Sequence, residues 1–248
     1  LSKVVLITGG SRGIGAACAL LAARQGWVVA VNYTSNSLAA DEVVRQIRQA
    51  GGQAITVQAD VADEAQVLAM FEKVDAKLGR LDGLVNNAGV VDRTTRVDAM
   101  TLERLRRMFE INVFGSFLCA REAVKRMSTR YGGAGGAIVN VSSAAARLGA
   151  PGQYVDYASA KGAIDTFTIG LAKEVAAEGI RVNAVRPGII DTDIHASGGL
   201  PDRARDLAPQ VPMQRPGTAD ETAQAIVWLL GDNAGYTTAA LLDVAGGR

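Results

Sequence analysis

Apolar positions along the 248-residue chain fall into two alternating patterns. Short, nearly continuous apolar runs, such as Val4-Val5-Leu6-Ile7 and Ala137-Ile138-Val139, are separated by longer stretches whose apolar residues recur at helical spacing. A strand that is apolar on both faces must be covered on both, so the alternation predicts β-α units feeding one parallel sheet with helices on either side. Strands are expected at 4–8, 27–32, 54–58, 84–86, 137–141, 181–186 and 241–244. Helices are expected at 14–25, 38–50, 64–77, 102–127, 155–177 and 219–230, the second stopped by Gly51-Gly52. Residues 132–136, four glycines around one alanine, are expected to form a flexible surface turn. Residues 189–217 lack a clear period, are rich in Gly and Pro, and are a candidate lid.

Composition narrows the class. Nearly half the residues are apolar and the net charge is +1, which describes a single globular domain over residues 1–248 with a substantial core. No basic run interleaves with aromatics and no acidic tail is present, so neither nucleic acid nor a membrane surface is an expected partner. Cys18 and Cys119 each fall in a predicted helix among apolar neighbours and are expected to be buried thiols, with no disulfide framework. No metal site is expected. The chain enters a predicted strand almost at once, and no apolar run reaches membrane-spanning length; a cytoplasmic location is the expectation.

Two groups of residues suggest chemistry. Thr8-Gly9-Gly10-Ser11-Arg12-Gly13-Ile14-Gly15 joins the first strand to the first helix. In that setting Gly9, Gly13 and Gly15 let the backbone turn tightly and approach a pyrophosphate, while the helix N-terminus offers free N–H groups. The spacing is T-G-x-x-x-G-x-G, not G-x-G-x-x-G, and a ligand-free glycine turn is the alternative. Further along, Tyr157 and Lys161 are four residues apart on a predicted helix and so share a face. A tyrosine hydroxyl has an ordinary pKa of about 10. A nearby ammonium is expected to pull it down, making the pair a proton donor for the oxygen of a carbonyl undergoing reduction.

More motifs follow in order: Asp60-Val61, Asn86-Asn87-Ala88-Gly89, Asn112, Ser142-Ser143, then after Tyr157 and Lys161, Pro187-Gly188 and Thr192. With them the chain resembles the short-chain dehydrogenase/reductases over essentially its whole length, including 3-oxoacyl-carrier-protein-reductase-like and glucose-1-dehydrogenase-like members. The resemblance implies a Rossmann-type, doubly wound, seven-stranded α/β fold. It makes Tyr157 the general acid or base, Lys161 its tuner and a ligand to the nicotinamide ribose, and Ser143 a hydrogen-bond partner of the substrate oxygen. Asn112 would hold a water relaying protons to Lys161, or else satisfy backbone groups at a helix kink. The interval from the serine pair to the tyrosine is one residue longer than in many members; Ser143 is preferred because the family commonly uses the second serine.

The same resemblance places a dinucleotide against Gly9, Ser11, Arg12, Gly13, Ile14 and Gly15, with adenine near Asp60 and Val61. Asn86, Ala88 and Gly89 would back the adenosine ribose, and Pro187, Gly188, Ile189 and Thr192 would meet the nicotinamide beside Tyr157 and Lys161. After the second strand come Asn32-Tyr33-Thr34-Ser35, with no acid to hold ribose hydroxyls. Those groups and Arg12 suit the extra phosphate of NADP(H), which is favoured over NAD(H). Arg147, Leu148, Gln153, Tyr154 and His195 are candidate pocket residues, His195 in a non-catalytic capacity.

The expected activity is hydride transfer between the nicotinamide and a carbonyl or secondary alcohol of a small molecule, carried out by a homotetramer built through apolar helices that include Phe114, Phe117 and Phe167. A 3-oxoacyl-carrier-protein reductase is an alternative, weakened because Glu178 stands where a carrier-docking cation would be expected alongside Arg130. A non-catalytic dinucleotide-binding regulator is the competing class, although both Tyr157 and Lys161 are present.

Overall fold

A computed structural model describes residues 2–248, the side chains of residues 195 and 197 excepted. Seven strands, β1 (Val4–Ile7), β2 (Val28–Tyr33), β3 (Ala54–Gln58), β4 (Gly83–Asn86), β5 (Gly136–Val141), β6 (Ile180–Pro187) and β7 (Leu241–Val244), form one sheet in the order β3-β2-β1-β4-β5-β6-β7. Every neighbouring pair is parallel. The order reverses beside β1, and such a switch point opens a crevice at the carboxyl ends of the strands.

Side-chain alternation assigns the two faces. Val5, Ile7, Val29, Val31, Val139 and Val185 pack against α1 (Gly13–Arg24), α2 (Ser37–Gln49) and α10 (Ala219–Leu230). Val4, Leu6, Ala30, Leu84, Ile138 and Val182 pack against α3 (Glu64–Leu78), α5 (Gly115–Met127) and α7 (Val155–Val175). Phe71 of α3 is the largest side chain wholly shut off from water and anchors the second layer. Both cysteines are free and buried, one in each layer, and burial pushes the Cys119 thiol up to about 12. No helix among the described residues is long and apolar enough to cross a membrane.

Three expectations change. The helix expected over 102–127 is α4 (Leu102–Phe109) and α5 joined by a π-helical turn, Glu110–Phe114. The glycines at 132–136 are not left loose: Gly133 N–H donates to the Ser128 carbonyl, Gly135 N–H to that of Met127, and Gly136 N–H to that of Gly179. The segment 189–217 contains two short helices, α8 (Ile194–Ser197) and α9 (Arg203–Leu207), and a 3-10 turn, Ala208–Gln210. Its ends are tied by a parallel bridge between Ile190 and Gly217, with Asp191 N–H donating to the Gly217 carbonyl and Gly217 N–H to that of Ile189. A remaining four-residue helix, α6 (Ala145–Leu148), follows Ser143.

Candidate active site

The turn from β1 to α1 is built for close approach. Gly13 has φ +52°, and a Cβ there would sit at ordinary contact distance from Thr192, 3.5 Å from its Cγ2, so Thr192 packs across from the turn. At Gly15 a Cβ would lie 2.3 Å from the Gly9 carbonyl oxygen and 2.5 Å from Asn87 Nδ2, which leaves no room for any side chain. No side chain caps the start of α1 and no acid sits in its first turn, leaving N–H groups and the positive end of the helix dipole for an anion. Ser11 precedes the Arg12 cap position, and the Arg12 side chain is exposed, with no hydrogen bond or ion pair to any described residue.

Two asparagines read as cofactor contacts turn inward instead. Asn32 is on the same face of β2 as Ala30; it accepts from Gly9 N–H at 3.1 Å and donates to the carbonyls of Val57 and Ala59, which consumes the amide. Its part is to fix the turn against β3. Asn86 donates to the Ser116 carbonyl and to Asn140 Oδ1, and Asn140 in turn donates to Thr168 Oγ1, a polar thread through the core from β4 to α7. Its neighbour Asn87 reaches the site: it donates to the carbonyls of Thr8 and Gly9 and lines the cavity together with Gly89. Ala88 N–H donates to Thr8 Oγ1, completing the brace.

Just past the end of β3, the Asp60 carboxylate accepts from Ala62 N–H and the Asp60 N–H donates to Gln66 Oε1, while Val61 is buried against Gly115. Tyr33 packs on the α1 side of the sheet, and Thr34 and Ser35 are exposed. Asn36 is spent as the cap of α2, accepting from Ala39 N–H.

The crevice deepens into a cavity of about 470 Å³. Its lining combines Ile14, Asn87 and Gly89 with Ser143, Tyr157 and Lys161, and with Pro187, Gly188, Ile189 and Thr192. Of the serine pair, Ser142 is buried and donates to the Lys161 carbonyl at 3.1 Å, whereas the Ser143 hydroxyl hydrogen-bonds Tyr157. Lys161 Nζ donates to the Val141 carbonyl at 2.7 Å and lies 5.6 Å from the Tyr157 ring centre. Burial drives the ammonium down to about 8, only partly offset by Asp165 one turn along α7. Burial also pushes the Tyr157 hydroxyl above its ordinary value, with the Ser143 hydrogen bond opposing. That reverses the expected direction: Lys161 addresses a backbone carbonyl, and desolvation of the phenolate outweighs the stabilisation around it.

Asn112 sits in the π-helical turn and is fully buried. Its side chain donates to the carbonyls of Val90 and Met108, both at 3.0 Å, and accepts from Val90 N–H at 3.1 Å. It stitches the chain after β4 to the irregular turn, so the amide expected to hold a water is already committed. A π turn inserts one residue into the helical ladder and recurs at functional sites. The start of α7 is fixed independently. Arg104 of α4 grips Asp156, next to Tyr157, through two nitrogens at 2.7 and 3.2 Å, and its remaining nitrogen donates to the Arg93 carbonyl and Thr95 Oγ1.

Leu148, Gln153 and Tyr154 line the cavity as expected, joined by Arg203 and Arg248, which sequence reasoning missed. Arg147 faces away, paired with Asp243. The His195 side chain lies outside the described residues. No group of three or more potential metal ligands occurs among the described residues.

This fold, with a glycine turn at the switch point and a Ser-Tyr-Lys cluster facing it, defines a nicotinamide-dependent oxidoreductase scaffold, and the chain belongs to the short-chain dehydrogenase/reductase family. A family model described as enoyl-(acyl carrier protein) reductase matches residues 9–248. The uncharacterized oxidoreductase YgfF of Escherichia coli K12 is 58% identical, with 99% of each chain covered. A 3-oxoacyl-[acyl-carrier-protein] reductase of Synechocystis is 40% identical over 99% of this chain and 96% of its own. The solved structure of a doubly substituted short-chain dehydrogenase/reductase of Serratia marcescens superposes with a TM-score of 0.90 at 34% identity, covering 99% of this chain and 97% of that one.

Proposed function

We propose that the protein is an NADP(H)-dependent reductase of small carbonyl compounds, reversible as an alcohol dehydrogenase. The carrying observation is that Ser143, Tyr157 and Lys161 share a cavity with Ile14, Asn87 and Gly89 of the nucleotide crevice. The residues present fit a dinucleotide. The uncapped start of α1 and the tight glycine turn at Gly13 and Gly15 suit a pyrophosphate, and the Arg12 side chain, with no partner among the described residues, together with exposed Thr34 and Ser35 suits an additional phosphate. The bound cofactor supplies or accepts the hydride.

The chain's own groups handle the oxygen. Ser143 hydrogen-bonds the substrate oxygen and sets it opposite Tyr157. With its pKa held above the ordinary value, Tyr157 keeps its proton at neutral pH and gives it to the developing alkoxide. Lys161, mostly protonated at pH 7, stabilises the phenolate left behind and binds ribose hydroxyls. The Asn112 side chain is committed to holding the π turn beside the chain after β4. Oxidation needs the phenolate and should accelerate as pH rises above neutrality.

Glu178, where a carrier-docking cation would be needed, is held by the Ser128 hydroxyl and keeps an acid at that surface, which favours free small substrates over an acidic carrier protein. Phe117 stacks on Phe167 and, with Phe114, remains about half exposed on adjoining helices, an apolar face suited to burial in a homotetramer; a monomer by light scattering would refute that assembly. A cytoplasmic enzyme is the setting proposed. The decisive experiment is NADPH oxidation against pooled ketones, aldehydes and diketones, with Tyr157→Phe as the control. Turnover that falls by about 10³ or more in the variant supports the reading; equal turnover in both removes it.

A further inference from the structure

The charges lining the cavity are unbalanced. Lys161, Arg203 and Arg248 all contribute to its wall, and no Asp or Glu does so among the described residues. Lys161 is accounted for by the catalytic cluster. The two arginines are not.

Arg203 opens α9. One of its terminal nitrogens donates to Gln153 Oε1 at 2.7 Å, and its guanidinium lies 5.1 Å from the centre of the Tyr154 ring. Both partners are neutral, so the group is positioned without being neutralised. Arg248 arrives from beyond β7. Its backbone is held by Arg147 and by the Ala245 carbonyl, but its Nη1 is buried with no hydrogen-bond partner. A buried guanidinium nitrogen left unpaired is costly, because it has given up water without replacing it. Every other buried unsatisfied side-chain atom among the described residues is an acceptor, on Asn86 or Asp165, away from this cavity.

Leu148, Pro151, Ile190 and Ile194 give the same cavity an apolar wall. The nucleotide's phosphates have their own site at the glycine turn, and Arg203 belongs with the substrate-side loops. We propose that the substrate carries a carboxylate, held by Arg248 and Arg203, at the far end of an apolar carbon frame from the reacting carbonyl or alcohol. A planar guanidinium donates paired N–H···O bonds to a carboxylate, and the unpaired Arg248 Nη1 and the braced Arg203 have N–H groups to give. The enzyme is then an oxo-acid reductase or hydroxy-acid dehydrogenase. This substrate class rests on the reductase reading above.

The test uses full-length wild-type protein, Arg248→Gln and Arg203→Gln. NADPH oxidation is followed with 3-oxobutanoate and 4-oxopentanoate, each beside its methyl ester. Binding of benzoate and benzamide to NADP⁺-saturated protein is measured by calorimetry. The expected result is a higher kcat/KM for at least one acid than for its ester, with that ratio falling on the order of 30-fold in either variant, as for loss of a charged hydrogen bond. Benzoate binding should weaken similarly while benzamide changes little. Equal use of acid and ester, or benzoate binding indifferent to both substitutions, overturns the carboxylate. If no carbonyl is reduced, or Tyr157→Phe is as active as wild type, the reductase reading fails, and the benzoate measurement still decides whether the arginines form an anion site. Thermal melts of each variant identify any loss due to misfolding, and either arginine alone suffices for the comparison.

Discussion

Lys161 is a group whose presence should weaken the folded protein at neutral pH. Its ammonium is buried and its pKa is lowered from 10.5 to about 8. Between those values the unfolded chain binds more protons than the folded one, so folding stability rises with pH across the window. Below about pH 8 the full cost of burying the charge is present, roughly 3 kcal/mol from the two pKa values; above 10.5 it is gone. Replacing the side chain with Lys161→Met removes the titration. The stability difference between wild type and variant should therefore shift by about 2 kcal/mol in favour of wild type from pH 7 to 9.5. At a urea m-value of about 2–3 kcal/mol/M, the two midpoints would converge or diverge by roughly 0.7–1 M. Lost packing, and the lost bond to the Val141 carbonyl, affect the absolute difference but not its pH dependence. Tyr157 titrates in both proteins and largely cancels. Urea unfolding of both proteins without cofactor, at half-unit intervals of pH, is the assay. A difference independent of pH would refute the assignment of Lys161 as a buried, depressed ammonium.

Other perturbations probe separate parts of the site. Gly15→Ala forces a methyl against the Gly9 carbonyl and Asn87, and should cost about 1–3 kcal/mol along with most NADPH affinity, measured by melting and fluorescence titration; an unchanged melt would refute the packing argument. Asp156→Ala strands the nearly buried Arg104 and should lower stability by about 3 kcal/mol in denaturant unfolding, while rescue by Asp156→Glu would separate charge from shape. Arg12→Ala should lower the NADPH-to-NADH affinity ratio on the order of tenfold or more, and an unchanged ratio would count against a phosphate clamp.

Most of the sheet was legible because buried parallel strands carry their own signature. The runs at 54–58 and 241–244 match β3 and β7 residue for residue, and the helix expected at 219–230 matches α10. The π turn was not legible, since one extra residue shifts helical phase by too little to show against a continuous apolar pattern over 102–127. Strand parity could have turned Asn32 inward: it lies two residues from Ala30 and so on the same face of β2. Arg203 and Arg248 carry no local signal, because their place in the cavity depends on where two distant segments return to the sheet.

The bridge between Ile190 and Gly217 brings the ends of a 26-residue excursion side by side. The bridge pins the base of that excursion, and Met213 N–H donates to the Gly246 carbonyl just past β7. The excursion's length can change at little entropic cost, because lengthening a loop whose ends already meet is thermodynamically mild. The stretch carrying Thr192, Ile194 and Arg203 is therefore an exchangeable cassette: transplanting a relative's segment between residues 190 and 217 should exchange substrate preference while leaving the strand register and the glycine turn as they are.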